Sequence, residues 1–410
     1  MKRIVLTAVF CLAAVGMAAQ CPEECWGVAG MYPFEEIVET AAPKGYKAAY
    51  ISHYGRHGAR YNTEASVYDT MMEALRSGHD KGALTPKGEE TFQRYILMYP
   101  GLKGHDGDLC KTGEMQHKRI ADRMVETYPS VFKGKVVVDA CSSIVPRAIV
   151  SMASFCTELQ KRCPKAEISQ RSYASEMVRL NGITKENPVL RNPAIAAPLI
   201  RIYSPEKKEK TETDMEPYRQ LLSFFFTDIS VTDSVGTPEA IASAMLNVVM
   251  HMPESGDKMD DILPEAVYRI HWEQSCKRLE RMYLEKKDGI SLVGCLMREL
   301  MMDFIDMKGQ DEQDGVNVRL RFGHDMVLFG LLALMEIDEW GERINTSDMP
   351  MASNLKMIVY RKKGAEDLVK FVFNDKECTL PLDSDTAPYY KWSEVENHYR
   401  ALSAKIDALM

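Results

Sequence analysis

A continuous run of β-branched residues constrains the fold of this chain more than any other feature. The segment KVVVDA, residues 135–140, is apolar on both faces, as is typical of a strand buried on both sides of a parallel sheet. Residues 46–52, YKAAYIS, predict a second strand. Residues 316–322 alternate apolar and polar side chains with a period of two and predict a third. Because helical segments follow these strands, the sequence predicts an α/β fold with a mainly parallel central sheet flanked by helices.

The middle of the chain has a different pattern. Between residues 155 and 312 the apolar residues recur at helical spacing, and no convincing strand interrupts them. The sequence therefore predicts an α/β domain formed by residues 21–154 and 313–410. An all-helical cap domain, residues 155–312, is inserted into it.

The first twenty residues predict a secretory signal peptide. A basic start precedes an apolar run and then small residues. The run is shorter than the roughly 20 residues that span a bilayer, so we expect no stable membrane insertion. Gln20 stands where a small residue would precede a lipidated cysteine, so we expect no lipid anchor at Cys21. The mature protein is predicted to be periplasmic or secreted, and the pairing of its nine remaining cysteines stays open.

Charge and residue spacing exclude several classes of partner. The formal net charge of −8 argues against a nucleic-acid partner, which normally requires a basic surface. A local basic cluster can still attract a small anionic substrate. No cysteine or histidine cluster has zinc-ligand spacing, so we predict neither a metal site nor a cofactor.

Polar side chains follow the predicted strands, where ligands bind in an open α/β sheet. The first cluster contains Arg56, His57, Gly58 and Arg60. Arginine presents a planar fork of donors that matches phosphate oxygens, and a neutral imidazole can attack phosphorus. Gly58 would leave room for a ligand to approach the backbone. Taken alone, the cluster is also compatible with a basic surface loop around a buried histidine.

Two further clusters complement the first. Arg147 falls near the predicted start of a helix, a location that favours anions. His324 and Asp325 fall between a strand and an apolar helix, where Asp325 could protonate a leaving group and His324 could donate to a phosphoryl oxygen. Taken singly, these residues are also compatible with a surface arginine and a capped helix. Together, the three clusters supply what phosphoryl transfer requires.

The motifs RHGAR, residues 56–60, and GHD, residues 323–325, lie on either side of the predicted helical insertion. This arrangement resembles the histidine acid phosphatases, branch 2 of the histidine phosphatase superfamily. That branch includes phytases, glucose-1-phosphatases and multiple inositol-polyphosphate phosphatases. The resemblance covers nearly all of the chain after residue 20 and extends to residues 109–124, 142–155, 352–361 and 368–382. The last two segments resemble most closely those of bacterial inositol-polyphosphate phosphatases.

The resemblance implies a role for each site residue. His57 would be the nucleophile and Asp325 the proton donor. The phosphate-binding residues that it implies are Arg56, Arg60, Arg147 and His324. Two positions depart from the family pattern. Asn62 replaces the proline of RHGxRxP. Asp325 directly follows His324, as in phytases, whereas inositol-polyphosphate phosphatases usually place the acid two residues after the histidine.

The resemblance implies hydrolysis of phosphate monoesters through a phosphohistidine, with inositol polyphosphates such as phytate as substrates. A broad-specificity acid phosphatase or a sugar-phosphate phosphatase of the glucose-1-phosphate type is the alternative. A non-catalytic phosphate-ester-binding protein is a third hypothesis, but Asp325 argues against it because binding alone needs no proton donor. His53 lies four residues before His57, and its role stays open between lining the pocket and supporting the core.

Overall fold

The computed structural model describes residues 20–182, 184–193, 195–197, 212–251, 259–341, 343 and 345–409. The chain divides into two compact units. One contains the described residues within 1–30, 60–112 and 206–275, and the other those within 31–59, 113–205 and 276–410.

The second unit contains the sheet. Its strands are β1 (Lys47–Arg56), β2 (Val137–Ser142), β3 (Glu167–Arg171), β6 (Val318–Gly323), β7 (Asn354–Arg361), β8 (Leu368–Phe373), β9 (Lys376–Glu377) and β10 (Tyr390–Lys391). They are ordered β10-β8-β7-β1-β6-β2-β3, with β9 paired to β8. A separate small hairpin consists of β4 (Lys286–Lys287) and β5 (Ile290–Ser291).

Strands β1, β6, β2 and β3 are parallel, whereas β7, β8 and β10 extend the sheet in antiparallel pairs. This mixed sheet with a parallel centre confirms the predicted fold class. Arg56 is paired with Gly323, and Ser142 is paired with Phe322. The carboxyl ends of the three central strands therefore meet at one edge of the sheet.

Two strand predictions need correction. β1 continues to Arg56 rather than ending at residue 52, so the RHGAR motif begins inside a strand. β3, Glu167–Arg171, lies in the segment that was predicted to contain only helices. Its sequence EISQR is mostly polar and solvent-accessible because the strand pairs only with β2 along the described sheet. An edge strand of this kind lacks the apolar run that reveals a central strand.

The described helices are α1 (Ala65–Asp80), α2 (Pro86–Leu102), α3 (Lys111–Thr127), α4 (Pro146–Arg162), α5 (Met177–Leu180), α6 (Glu212–Leu222), α7 (Pro238–Met250), α8 (Glu265–Tyr283), α9 (Arg298–Asp314), α10 (Asp325–Met335) and α11 (Trp392–Leu409). Helix α10 follows β6 directly and is apolar along most of its length. In the first unit, α1, α2 and α7 bury a shared core that includes Tyr68, Tyr95 and Met245.

The predicted domain boundaries do not coincide with the division into compact units. Residues 60–112 group with part of the predicted insertion, whereas residues 155–205 and 276–312 group with the sheet. One reason is that β3, which falls within 155–205, hydrogen-bonds to β2. Whether 155–312 folds as one domain stays a prediction.

Ion pairs of buried lysines stabilise the antiparallel half of the sheet. The lysines Lys356 on β7 and Lys370 on β8 are at most 3% exposed. Lys356 pairs with Asp375, and Lys370 pairs with Glu377 at 2.8 Å. We call these four residues the β7–β8 ionic cluster. Burial raises the pKa of each of the two carboxyls, but the paired lysines outweigh it and hold both pKa values below their ordinary range.

None of the described helices combines the length and hydrophobicity needed to cross a membrane. All nine cysteines after residue 20 are unbridged thiols. Residues 1–19 of the predicted signal peptide lie outside the described residues.

Candidate active site

Arg56 ends strand β1 and is almost completely buried, with 1% of its surface exposed. Its Nη1 donates to the carbonyl oxygen of Met349 at 2.9 Å, and its Nη2 lies 2.9 Å from Oδ2 of Asp325. Burial lowers the pKa of the Arg56 guanidinium, and the charge of Asp325 opposes that effect. A buried cation is therefore fixed at the carboxyl edge of the sheet, paired with the predicted acid.

His57 follows directly and is 2% exposed. Its backbone N–H donates to the carbonyl oxygen of Gly323 at 2.9 Å, and its own carbonyl accepts from Ala352 at 3.0 Å. Its ring Nδ1 lies 2.9 Å from the carbonyl oxygen of Gly58. Since a carbonyl can only accept, this contact assigns the proton to Nδ1. In the neutral ring the lone pair then lies on Nε2, which is the state a nucleophilic imidazole needs.

The absence of a side chain at Gly58 leaves room for the backbone of Gly113 rather than for a ligand. A Cβ at residue 58 would lie 2.5 Å from the carbonyl oxygen of Gly113 on α3 and 2.7 Å from its Cα. The Gly58 N–H donates to Oγ of Ser151, and the Ala59 N–H donates to Oε1 of Gln116. Side chains of α3 and α4 therefore hold the turn after the histidine in a fixed conformation. The predicted role of Gly58 beside a ligand is corrected accordingly.

His324 occupies the position before the first residue of α10, in extended backbone geometry. Its Nε2 lies 3.1 Å from Oγ of Ser143, a residue just beyond the end of β2. Its ring centroid lies 5.6 Å from that of His57, with the ring planes at 65°. The predicted assisting histidine and the predicted nucleophile are therefore neighbours.

Asp325 is the first residue of α10. Its Oδ1 accepts the N–H of Met326 at 2.8 Å, and Oδ2 is paired with Arg56. Its side chain retains 24% exposure, so a substrate can reach the carboxyl group. The residue is not the helix cap that was considered as an alternative, because His324 occupies that position.

Arg147 lies in the first turn of α4, one residue after Pro146. Burial lowers the pKa of Arg147, the negative charge of Asp325 raises it, and the positive charge of Arg56 lowers it. β2, which precedes Arg147, pairs with β6, and β6 pairs with β1. The second and third strand ends therefore meet the first, as expected for carboxyl ends of neighbouring parallel strands.

Arg60 belongs to the first compact unit, where its backbone pairs with Leu109. Its Nη1 donates to the carbonyl oxygen of Tyr61 at 2.8 Å.

His53 is 1% exposed and contacts the rings of Phe155 and Phe322. Burial, together with the charge of Lys356, lowers the pKa of His53 well below its ordinary value. A buried neutral imidazole among aromatic rings supports the core, which decides the question left open for His53.

Sequence reasoning missed the residues that orient the site, above all Ser143 and the loop carbonyl of Met349. Of the two, only Ser143 could have been identified from the sequence, because a hydroxyl directly after a predicted strand lies where ligands bind. Among the described residues, no group of three or more histidine, cysteine, aspartate or glutamate side chains is arranged to hold a metal ion.

No family model matches the chain, and no curated protein sequence is significantly similar to it. Solved structures do match. The multiple inositol polyphosphate phosphatase of Bifidobacterium longum, in complex with inositol hexasulfate, superposes with a TM-score of 0.68 at 15% identity, over 92% of this chain and 97% of its own. The phytase of D. castellii has a TM-score of 0.61 at 15% identity, over 93% and 85%. The apo phytase of Hafnia alvei has a TM-score of 0.56 at 12% identity, over 88% and 98%.

These similarities extend over almost the whole described chain, and at such low identity they establish the fold alone. The family resemblance inferred from RHGAR and GHD is thereby confirmed at the level of fold. The chain has the fold of the histidine acid phosphatases, the family to which the bifidobacterial phosphatase and these phytases belong.

Proposed function

We propose that this chain is a phosphoric monoester hydrolase that acts through a phosphohistidine on His57, with inositol polyphosphates such as phytate as its substrates. One observation carries the proposal: the hydrogen bond from Nδ1 of His57 to the Gly58 carbonyl, which places the lone pair of the neutral ring on Nε2, the atom proposed to attack. Arg56 and Arg147 supply positive charge in the same cluster, and Asp325 supplies a carboxyl group. The fold supports the same class of reaction.

In the first half-reaction Nε2 of His57 attacks phosphorus and the ester P–O bond breaks. The leaving oxygen takes the proton of the Asp325 carboxylic acid. Positive charge from Arg56 and Arg147, with donation from His324, stabilises the equatorial oxygens. Arg60 is proposed as a further phosphate ligand from the RHGxR motif.

In the second half-reaction the Asp325 carboxylate accepts a proton from water, and the resulting hydroxide attacks phosphorus. The N–P bond then breaks, inorganic phosphate leaves, and both His57 and protonated Asp325 are regenerated. Asp325 is paired with Arg56. A bound phosphoryl group competes for that arginine, and the first step requires Asp325 as the carboxylic acid.

The substrate class is tested by measuring phosphate release from phytate, glucose 1-phosphate and 4-nitrophenyl phosphate under identical conditions. The proposal predicts the highest kcat/KM for phytate. A preference for glucose 1-phosphate, or similar rates on all three esters, would instead identify a sugar-phosphate or broad-specificity phosphatase. Tight phosphate-ester binding without any release would identify a binding protein and contradict the proposed reaction.

We also propose that the chain is exported and loses residues 1–20, because these residues have the pattern of a signal peptide. Gln20 stands where a small residue would precede a lipidated cysteine, so the proposed product has no lipid on Cys21. Mass spectrometry of the extracytoplasmic protein is expected to find an unmodified amino terminus near residue 21. A full-length cytoplasmic chain would contradict export.

A further inference from the structure

The hydroxyl of Tyr54 lies directly behind the turn that carries His324 and Asp325. Tyr54 is on β1 and is completely buried. Its hydroxyl donates to the carbonyl oxygen of Leu180 at 3.1 Å and accepts the backbone N–H of His324 at 3.0 Å. One side chain thus connects the central strand, the end of α5 and the start of α10.

The neighbouring sequence makes room for this hydroxyl. A Cβ at Gly323 would overlap the Tyr54 hydroxyl and lie 3.0 Å from the carbonyl oxygen of Leu180. The carbonyl of the same glycine accepts the N–H of His57. Burial raises the pKa of Tyr54, so the phenol stays protonated and keeps its donor. The glycine of the GHD motif therefore allows one turn to contact both the nucleophile and the tyrosine.

The hydrogen bond between the Tyr54 hydroxyl and the His324 amide affects Asp325, the proposed proton donor, through the backbone. His324 precedes the first residue of α10, and Asp325 is that first residue. A shift of the His324 amide would therefore move the carboxyl group of Asp325 relative to Arg56. Misplacement of a catalytic group by about 1 Å can cost two orders of magnitude in rate.

We propose that Tyr54 is a positioning residue, which holds Asp325 where it can protonate the leaving group. The inference rests on the proposed phosphatase function and deepens it. Tyr54 does not touch the reacting atoms. Its effect should therefore be largest for esters whose leaving group must be protonated, and esters with a good leaving group should show only the smaller effect that acts through His324.

The test compares Tyr54→Phe with Tyr399→Phe. Tyr399 is equally buried, and its hydroxyl donates to the carbonyl of Met335 at 3.0 Å, at the opposite end of the same helix. Both variants thus remove one buried phenol hydroxyl bonded to α10 or to the turn before it. For Tyr54→Phe we expect kcat/KM, which reports only the first half-reaction, to fall about 10- to 100-fold on glycerol 2-phosphate and less than about threefold on 4-nitrophenyl phosphate, while KM for glycerol 2-phosphate changes little. Tyr399→Phe should leave the ratio of the two kcat/KM values unchanged.

Adding Tyr54→Phe to an Asp325→Asn background should lower kcat/KM on glycerol 2-phosphate by less than about a further threefold, because Tyr54 acts mainly through Asp325. Equal losses on both esters, an unchanged ratio, or additive losses in the double variant would overturn the inference. If Tyr54→Phe does not fold, replacing Tyr54 with 3-fluorotyrosine tests the same contact, because the fluorine keeps the hydroxyl but weakens it as an acceptor for the His324 N–H. A smaller loss with the same selectivity is then expected. A wild-type protein that releases phosphate from no ester would refute the proposed function itself, which the variants alone cannot do.

Discussion

Asp325→Asn tests whether Asp325 is the general acid of the site. The amide keeps the size of the carboxyl and can still accept the N–H of Met326, but it cannot donate a proton to an alkoxide. Loss of a general acid costs about 10²- to 10⁴-fold, which corresponds to about 3 to 5 kcal/mol of transition-state stabilisation. We expect a loss of that size in kcat/KM, which reports only the first half-reaction, for glycerol 2-phosphate. The loss in kcat/KM for 4-nitrophenyl phosphate should be less than about tenfold, because its leaving group needs no proton.

The same substitution removes the negative charge of Asp325 from its ion pair with Arg56, in which only the arginine is buried. Arg56 is 1% exposed and Asp325 24%, and Arg56 keeps the carbonyl of Met349 as an acceptor. We therefore expect a loss of unfolding free energy of about 1 to 3 kcal/mol, below the value for a fully buried pair. Inorganic phosphate should bind more tightly to the variant, because the carboxylate no longer competes for Arg56.

The assay measures kcat/KM on both esters at several pH values, with urea unfolding and phosphate binding measured on the same samples. Asp375→Asn is the matched control, since its carboxylate also pairs with two cations, the buried Lys356 and the partly buried Arg123, but lies outside the site. This control should lose stability without changing the ratio of the two kcat/KM values. Equal losses on both esters in Asp325→Asn would refute the general-acid role.

Three further predictions concern the support of the site and of the sheet. Ser143→Ala removes the hydroxyl beside His324 and should lower kcat/KM about 3- to 30-fold in steady-state assays. Ser142→Ala should have no such effect, because the Ser142 hydroxyl is buried without a hydrogen-bond partner among the described residues. Gly58→Ala should lower the unfolding free energy by about 1 to 3 kcal/mol in urea titrations, because its methyl group would collide with the α3 backbone. Gly101→Ala, where a Cβ meets nothing within 4 Å, should be close to neutral, and equal stability losses in the two variants would contradict the packing argument. Folding lowers the pKa values of both carboxyls of the β7–β8 ionic cluster, so their stabilisation is complete above pH 4.5, the ordinary pKa of the glutamate, and is lost as the pH falls through the folded-state values. Urea unfolding free energies should therefore fall between neutral pH and about pH 3, and a flat profile would contradict the assignment.

The sequence was most informative where a pattern has a single structural explanation. The β-branched run before residue 140 and the period of two before residue 323 correctly predicted β2 and β6, because a central strand must be apolar on the faces that it buries. β3 escaped prediction because an edge strand is free of that requirement.

Within the site, the sequence indicated which residues lie at strand ends but not what each one contacts. The pairing of Arg56 with Asp325 joins residues far apart in the chain, and only the register of β1 against β6 brings them together. Likewise, Gly58 is required by the backbone of Gly113, a contact that depends on how α3 packs. The spacing of residues along the sequence does not reveal such tertiary contacts.

Trapping the phosphoenzyme tests the central claim most directly. Rapid quenching of the protein with ³²P-labelled substrate in alkaline denaturant, followed by peptide mapping at alkaline pH, should find label on His57 that is stable in base and lost in acid. The His57→Asn variant should show neither label nor turnover. His105→Gln, a change at an exposed histidine, should retain both. Turnover without any trapped label, label on another residue, or an active His57→Asn protein would contradict the mechanism.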